Sequence, residues 1–291
     1  MIYTLQNNSY RVQLKSKGAE LCSFVKLDEN LEYMWQADPE VWASHAPNLF
    51  PIVGELPDQE YEYQGKTYQL PRHGFARRKE FTLVQQSEQE LVLELKADAE
   101  TLPVYPFDFL FRIKYVLEQN KLTVTYQVEN PAGQELYFSV GAHPGFNVPF
   151  YPEERFSDYF LEFDQKITAD RYLLNEKGLL SGETERVLTA QNELPLQHAL
   201  FENDALVFKH LPAEQVSLHS HKNSRKVTVS CAGFPYLGIW TKPGNSRFIC
   251  IEPWCGIAGS AGASKNITEK EGIIKLQPGQ VFERSFSIAV S

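Results

Sequence analysis

The chain has 291 residues, 43% of them hydrophobic and 13% aromatic, which is enough to bury a sizeable core and excludes a disordered chain. A formal net charge of −9 with scattered basic residues argues against nucleic acid as a partner, because phosphate neutralisation needs clustered Lys and Arg. The start, MIYTLQNNSYRVQLKSKGAEL, has no apolar targeting core, and no segment reaches membrane-spanning length. Four cysteines (Cys22, Cys231, Cys250, Cys255) are too few for a secreted disulfide framework, so a cytoplasmic location is expected.

The first candidate element is short. In DPEVWASHA, Asp38 can cap and Pro39 can open a helix of about one or two turns. LPRHGFARRKEF follows, where His73-Gly74 interrupts the apolar pattern and Arg72, Arg77, Arg78 and Lys79 gather around it. By itself this stretch reads as an exposed loop beside a solvated charged face. From LVLELKA onwards the dominant period is two. FRIKYVLE puts Phe111, Ile113, Tyr115 and Leu117 on one face and Arg112, Lys114 and Glu118 on the other. LTVTYQVEN alternates in the same way and stops at Asn130-Pro131; RKVTVSCAGF behaves similarly. There is no sustained helical period, no strand–helix alternation, no fixed repeat and no linker. The small residues of GIAGSAGASKN, Gly256 to Asn266, predict a flexible loop. The expected architecture is one all-β domain over residues 1–291, a large, mostly antiparallel β-sandwich with few short helical turns.

Two strand ends carry titratable groups. In LYFSVGAHPGFNVPF, parity puts Leu136, Phe138, Val140 and Ala142 on a core face and Tyr137, Ser139, Gly141 and His143 on the other. The second face narrows to small residues towards its tip, which predicts open space beside the imidazole, and Pro144 holds His143 extended. A histidine that only caps the sheet fits the same pattern. SRFICIEPWCG is apolar on both faces, which marks an interior strand, yet it ends in Glu252 before Pro253. Glu is rarely buried unless paired or used, and desolvation should raise its pKa into the range of proton transfer. A structural ion pair is the competing reading.

Taken in order, RHGFAR, GAHPGFNVP and ICIEPWCG, preceded by NLFPIVGEL, resemble the aldose 1-epimerase (galactose mutarotase-like) family across essentially the whole chain. The spacing is most similar to its bacterial LacX-like branch. The resemblance implies a β-supersandwich fold, with His143 as general acid, Glu252 as general base and His73 holding the sugar near its ring oxygen. Asp204, in FENDALVFKHL, matches less distinctively a position that hydrogen-bonds sugar hydroxyls, and Arg77 matches an arginine found after the first His-Gly. The implied reaction interconverts the α and β anomers of an aldohexose by acid–base ring opening and closure. Histidine's ordinary pKa of about 6.5 makes both of its forms available near neutrality. Positioned acid–base groups supply about 10²–10⁴-fold each, so no metal or organic cofactor is expected.

The hexose 6-phosphate branch carries a further arginine just before its FP. Here WASHAPNLFP has none, and His45 or Lys79 are the available substitutes for phosphate recognition. The sugar's phosphorylation therefore stays open, as does the oligomeric state, for which a homodimer is one option. Two other function classes remain. One is a metal-dependent isomerase with His45, His73, His143 and Glu252 as ligands; His219 and His221 in LHSHKN share one face but have no third ligand nearby in the sequence. The other is a sugar-binding or sugar-sensing protein of the same fold without turnover, which would not need an acid–base pair.

Overall fold

Each period-two segment is a strand in the computed structural model, which describes residues 1–291. Strands Glu90–Lys96, Leu110–Glu118 and Lys121–Glu129 form an antiparallel meander whose alternate residues, from Phe111 to Leu117 and from Leu122 to Val128, are buried. The C-terminal strand Val281–Val290 pairs with Lys121–Glu129 and extends this meander into a 15-stranded antiparallel sheet. Four further strands, Ile2–Gln6, Tyr10–Lys15, Leu21–Lys26 and Leu31–Glu32, make a separate sheet. One hydrophobic cluster of 68 buried residues runs from Leu5 to Val290 and draws on both sheets. Helical structure is confined to five short 3₁₀ turns. Asp38 does cap as expected, its carboxylate accepting from the Glu40 amide at 2.9 Å, but the segment makes a turn rather than a helix.

One end of the large sheet positions the functional groups. Strand Phe248–Cys255 lies between Tyr236–Trp240 on one side and two short strands, Val140–Ala142 and Gly145–Asn147, on the other. It is buried along its whole length, as its apolar pattern predicts. Ile249, Ile251 and Cys255 join the main core, whereas Phe248, Cys250 and Trp254 join two small clusters on the opposite face. Glu252 shares that second face by parity. The strand thus separates the core from a cleft.

The loop Gly256 to Asn266 is tied to its surroundings. Gly259 donates to Glu55 and accepts from Leu180, and Ala261 donates to Leu180.

Candidate active site

His143 and Glu252 meet because of strand register. Val140 pairs with Cys255 and Gly141 with Trp254; after a gap, Gly145 pairs with Cys250 and Phe146 with Ile249. The register is the same on both sides of the gap, which sets His143 opposite Glu252. Pro144 and Pro253 lie inside that gap, and neither can donate to the ladder. The result is a contact of 3.2 Å between His143 Nε2 and Glu252 Oε2. It is not aligned as a hydrogen bond, and Glu252 Oε2 and His143 Nδ1 are both buried without a partner. Buried polar atoms are seldom left unpaired, so these two are available to bond a molecule that enters the cleft.

Burial moves both groups towards their neutral forms. Glu252, 1% exposed, has its carboxyl held well above 4.5 by desolvation; Arg72 and the Trp254 indole N–H oppose this, and the Asp204 charge adds to it. Desolvation likewise lowers His143 to about 3, with Arg77 and Arg72 adding repulsion. The raised carboxyl agrees with the sequence expectation. The imidazole differs from the expectation that both of its forms are available near neutrality: burial favours the neutral ring, because the desolvation that protonates the acid deprotonates the base.

His73 is fixed by a different segment, through Gly54. It occupies the left-handed region (φ 67°), an uncommon conformation for a residue with a side chain and one that accumulates at functional sites. Its amide donates to the Gly54 carbonyl at 2.9 Å, and its Nδ1 accepts from the Gly54 amide at 3.1 Å. With Nδ1 accepting, the proton of the neutral ring is on Nε2, and burial keeps the ring neutral by lowering its pKa well below 6.5. The His73 and His143 rings are 5.7 Å apart, edge to face.

These groups line one cavity of about 450 Å³, which falls within the usual range for small-molecule sites of about 300–1,000 Å³. All five sequence-predicted site residues line it: His73, Arg77, His143, Asp204 and Glu252. Asp204 Oδ2 accepts from Arg72 Nη2 at 3.3 Å, and Arg77 Nη2 donates to the Arg72 carbonyl at 3.0 Å. Arg72 therefore links the two inside the cavity, whereas the sequence places it on a solvated charged face. Three tryptophans also line the cavity: the sequence gives no sign of Trp42 or Trp240, and Trp254 reads there as core or as an apolar face for a sugar. Trp42 lies 5.1 Å from the His143 ring, Trp240 lies 5.7 Å from it, and Trp254 flanks Glu252 two residues along its strand. Nothing local distinguishes these from core aromatics.

The expected space beside His143 has a different cause. The strand breaks at Ser139, whose amide bonds the Pro51 carbonyl, and a Cβ at Gly141 would sit 2.6 Å from Trp254 Cδ1. A Cβ at Gly238, on the other neighbouring strand, would sit 2.4 Å from Trp254 Cη2. The two glycines make room for the indole, not for a ligand. Phe146 is wholly core.

Neither candidate substitute for the missing arginine faces the cleft. His45 is buried against Lys15, at 3.1 Å, and Lys79 pairs with Asp98 and Glu100. The proposed four-ligand metal set is therefore not assembled, since His45 lies outside the cavity. His143, Cys250 and Glu252 do bring one nitrogen, one sulfur and one oxygen within 4.8 Å of one another, a group that could hold a metal. Burial and the neighbouring Glu252 keep the Cys250 thiol well above its ordinary pKa. His221 stacks on Phe160, and His219, tilted against the same ring, pairs with Glu162, away from the cleft.

No helix is long and apolar enough to cross a membrane. The chain is 34% identical over 298 aligned positions to the LacX protein of Lactococcus lactis subsp. lactis, covering 100% of this chain and 99% of that one. It is similar in structure to a galactose mutarotase related enzyme from Lactobacillus acidophilus, with a TM-score of 0.96, 38% identity, and coverage of 100% and 97%. A galactose mutarotase-like protein from Lactobacillus casei superimposes with a TM-score of 0.95 at 29% identity over the full length of both chains. The aldose 1-epimerase family model matches residues 1–287, and the chain belongs to that family.

Proposed function

We propose that the protein is a cofactor-independent aldose 1-epimerase, acting in the cytoplasm on the anomers of an aldohexose, with Glu252 and His143 as its acid–base pair. The observation that carries this reading is the placement of His143 opposite Glu252 at 3.2 Å on the floor of the cleft. Four free, buried cysteines fit a reducing compartment.

The pair holds one proton between its two groups. A sugar hydroxyl docked against Glu252 Oε2, which otherwise lacks a partner, favours the carboxylate and sends that proton to His143. The carboxylate then takes the proton of the C1 hydroxyl, the imidazolium gives one to the ring oxygen, and the C1–O bond of the ring breaks to leave the open-chain aldehyde. Both side chains are now uncharged, which is the state burial favours. Rotation about C1–C2 and the reverse transfers close the ring as the other anomer. His73 Nε2–H, Asp204 and Arg77 are the hydrogen-bonding groups for the sugar, and the tryptophans offer apolar faces to its C–H surface.

A 6-phosphate substrate is the second reading, favoured by two arginines, Arg72 and Arg77, in one cleft with only Asp204 paired to them. Saturation-transfer NMR on freshly dissolved α-anomers, with free hexoses and hexose 6-phosphates, tests both. Catalysed exchange should fall by about 10²–10⁴-fold in Glu252→Gln and in His143→Asn. Wild-type exchange in both folded variants would sink the mechanism, and no catalysed exchange by the wild-type protein would leave a binding protein.

A further inference from the structure

A second cavity, of about 470 Å³, lies behind the catalytic cleft and shares Arg77 with it. Its walls carry Lys15, Lys17, Arg77 and Arg78 against a single carboxylate, Glu20. In a chain with a net charge of −9, that is a local inversion of sign. Glu20 is already engaged: Oε1 accepts from the His45 and Ala46 amides, and Oε2 lies 3.8 Å from Lys15. Lys17, Arg77 and Arg78 make no ion pair with any carboxylate.

The arrangement is held by backbone rather than by the flexible side chains. The Gly18 amide donates to the Lys79 carbonyl at 2.7 Å, the Phe81 amide to Ser16 at 2.9 Å, and Lys17 bridges to Glu80. These bonds tie the Lys15–Glu20 segment to the Arg77–Lys79 turn and keep like charges together. Beyond the effect of burial, Arg78 and Arg72 push Arg77 down from its ordinary pKa, and an anion in this cavity, beside Arg77 and Arg78, would offset that repulsion. Guanidinium forks match tetrahedral oxyanions, and the volume exceeds what one phosphate ion needs.

We propose that this cavity binds a phosphate group, free or as the monoester of a small metabolite, and that it is linked to the catalytic cleft through Arg77. Arg77 also lines the cleft, with Nη2 on the Arg72 carbonyl, so its guanidinium cannot serve both occupants fully. Filling one site weakens the other, by the same factor in each direction. The linkage rests on the cleft being the sugar site; phosphate binding itself does not.

Isothermal titration with inorganic phosphate and with glycerol 3-phosphate, at constant ionic strength set by NaCl, tests the site. The comparison is a Lys17→Ala/Arg78→Ala double variant, since both side chains are exposed and neither lines the cleft. Saturable binding in the wild-type protein should weaken about tenfold or more in the double variant. Tighter binding of glycerol 3-phosphate would identify the ester as the ligand, and equal or tighter binding of phosphate the free ion. No saturable heat with either probe, or equal affinity in the double variant, overturns the site. Phosphate should also raise the dissociation constant of D-glucose or D-galactose, whichever the cleft binds, in the wild-type protein only. An equal rise in both proteins would place phosphate in the cleft, and no rise would remove the linkage.

Discussion

Replacing Glu252 with Gln should remove activity and, above the ordinary carboxylate range, make the protein more stable. Burial, with Asp204 repulsion, holds this carboxyl well above 4.5 in the folded chain despite the nearby Arg72. The unfolded chain releases the same proton near the ordinary value. The folded state therefore binds more protons above pH 4.5, and stability falls as pH rises through that window. The slope is about 1.4 kcal/mol per pH unit for as long as the buried carboxyl keeps its proton. Gln keeps the shape, cannot ionise, and so removes the slope. Urea unfolding of both proteins, from pH 4.5 to about 8, measures the difference directly. The two stability curves should lie closest near pH 4.5 and separate in favour of the variant above it. Parallel curves, or a variant that loses ground as pH rises, would refute the reasoning that desolvation controls this group.

The lowered pKa of His143, to about 3, predicts that kcat/KM has no acid limb near 6.5. Activity should not fall as pH drops from about 7 to 5, and an acid limb centred near the ordinary histidine value would contradict the buried neutral imidazole. Gly141→Ala should cost about 1–3 kcal/mol of stability by overpacking against Trp254, and it should raise KM because that indole lines the cleft. Thermal unfolding and steady-state kinetics check it; an unchanged KM would mean that the indole does not touch the sugar. Dialysis against EDTA should leave anomer exchange unchanged. Loss of exchange restored by a divalent ion would instead assign His143, Cys250 and Glu252 as ligands.

Much of the fold is legible because strands advertise themselves locally. The alternation in FRIKYVLE and LTVTYQVEN gives the buried faces residue by residue, and apolar residues on both faces of FICI identify the interior strand. The ends of strands are legible too, since His143 and Glu252 stand out against their apolar runs. What parity cannot supply is the identity of the neighbour. Gly141 reads as empty space until its register partner, Trp254, is known. Arg72, Trp42 and Trp240 reach the cleft from three distant segments, and only long-range pairing brings them together. The proton's resting place is illegible for a related reason: it depends on how completely both groups are desolvated, which is a property of the packed cleft.

The placement of the tryptophans has a practical consequence. The chain has four, of which Trp42, Trp240 and Trp254 line the cleft, and Trp35 stacks on Phe248, which itself stacks on Trp42. Every strong fluorophore is thus in the cleft or one ring removed from it. The intrinsic emission of the unlabelled protein is a spectrum of the site, and a ligand that changes polarity there will report its own arrival.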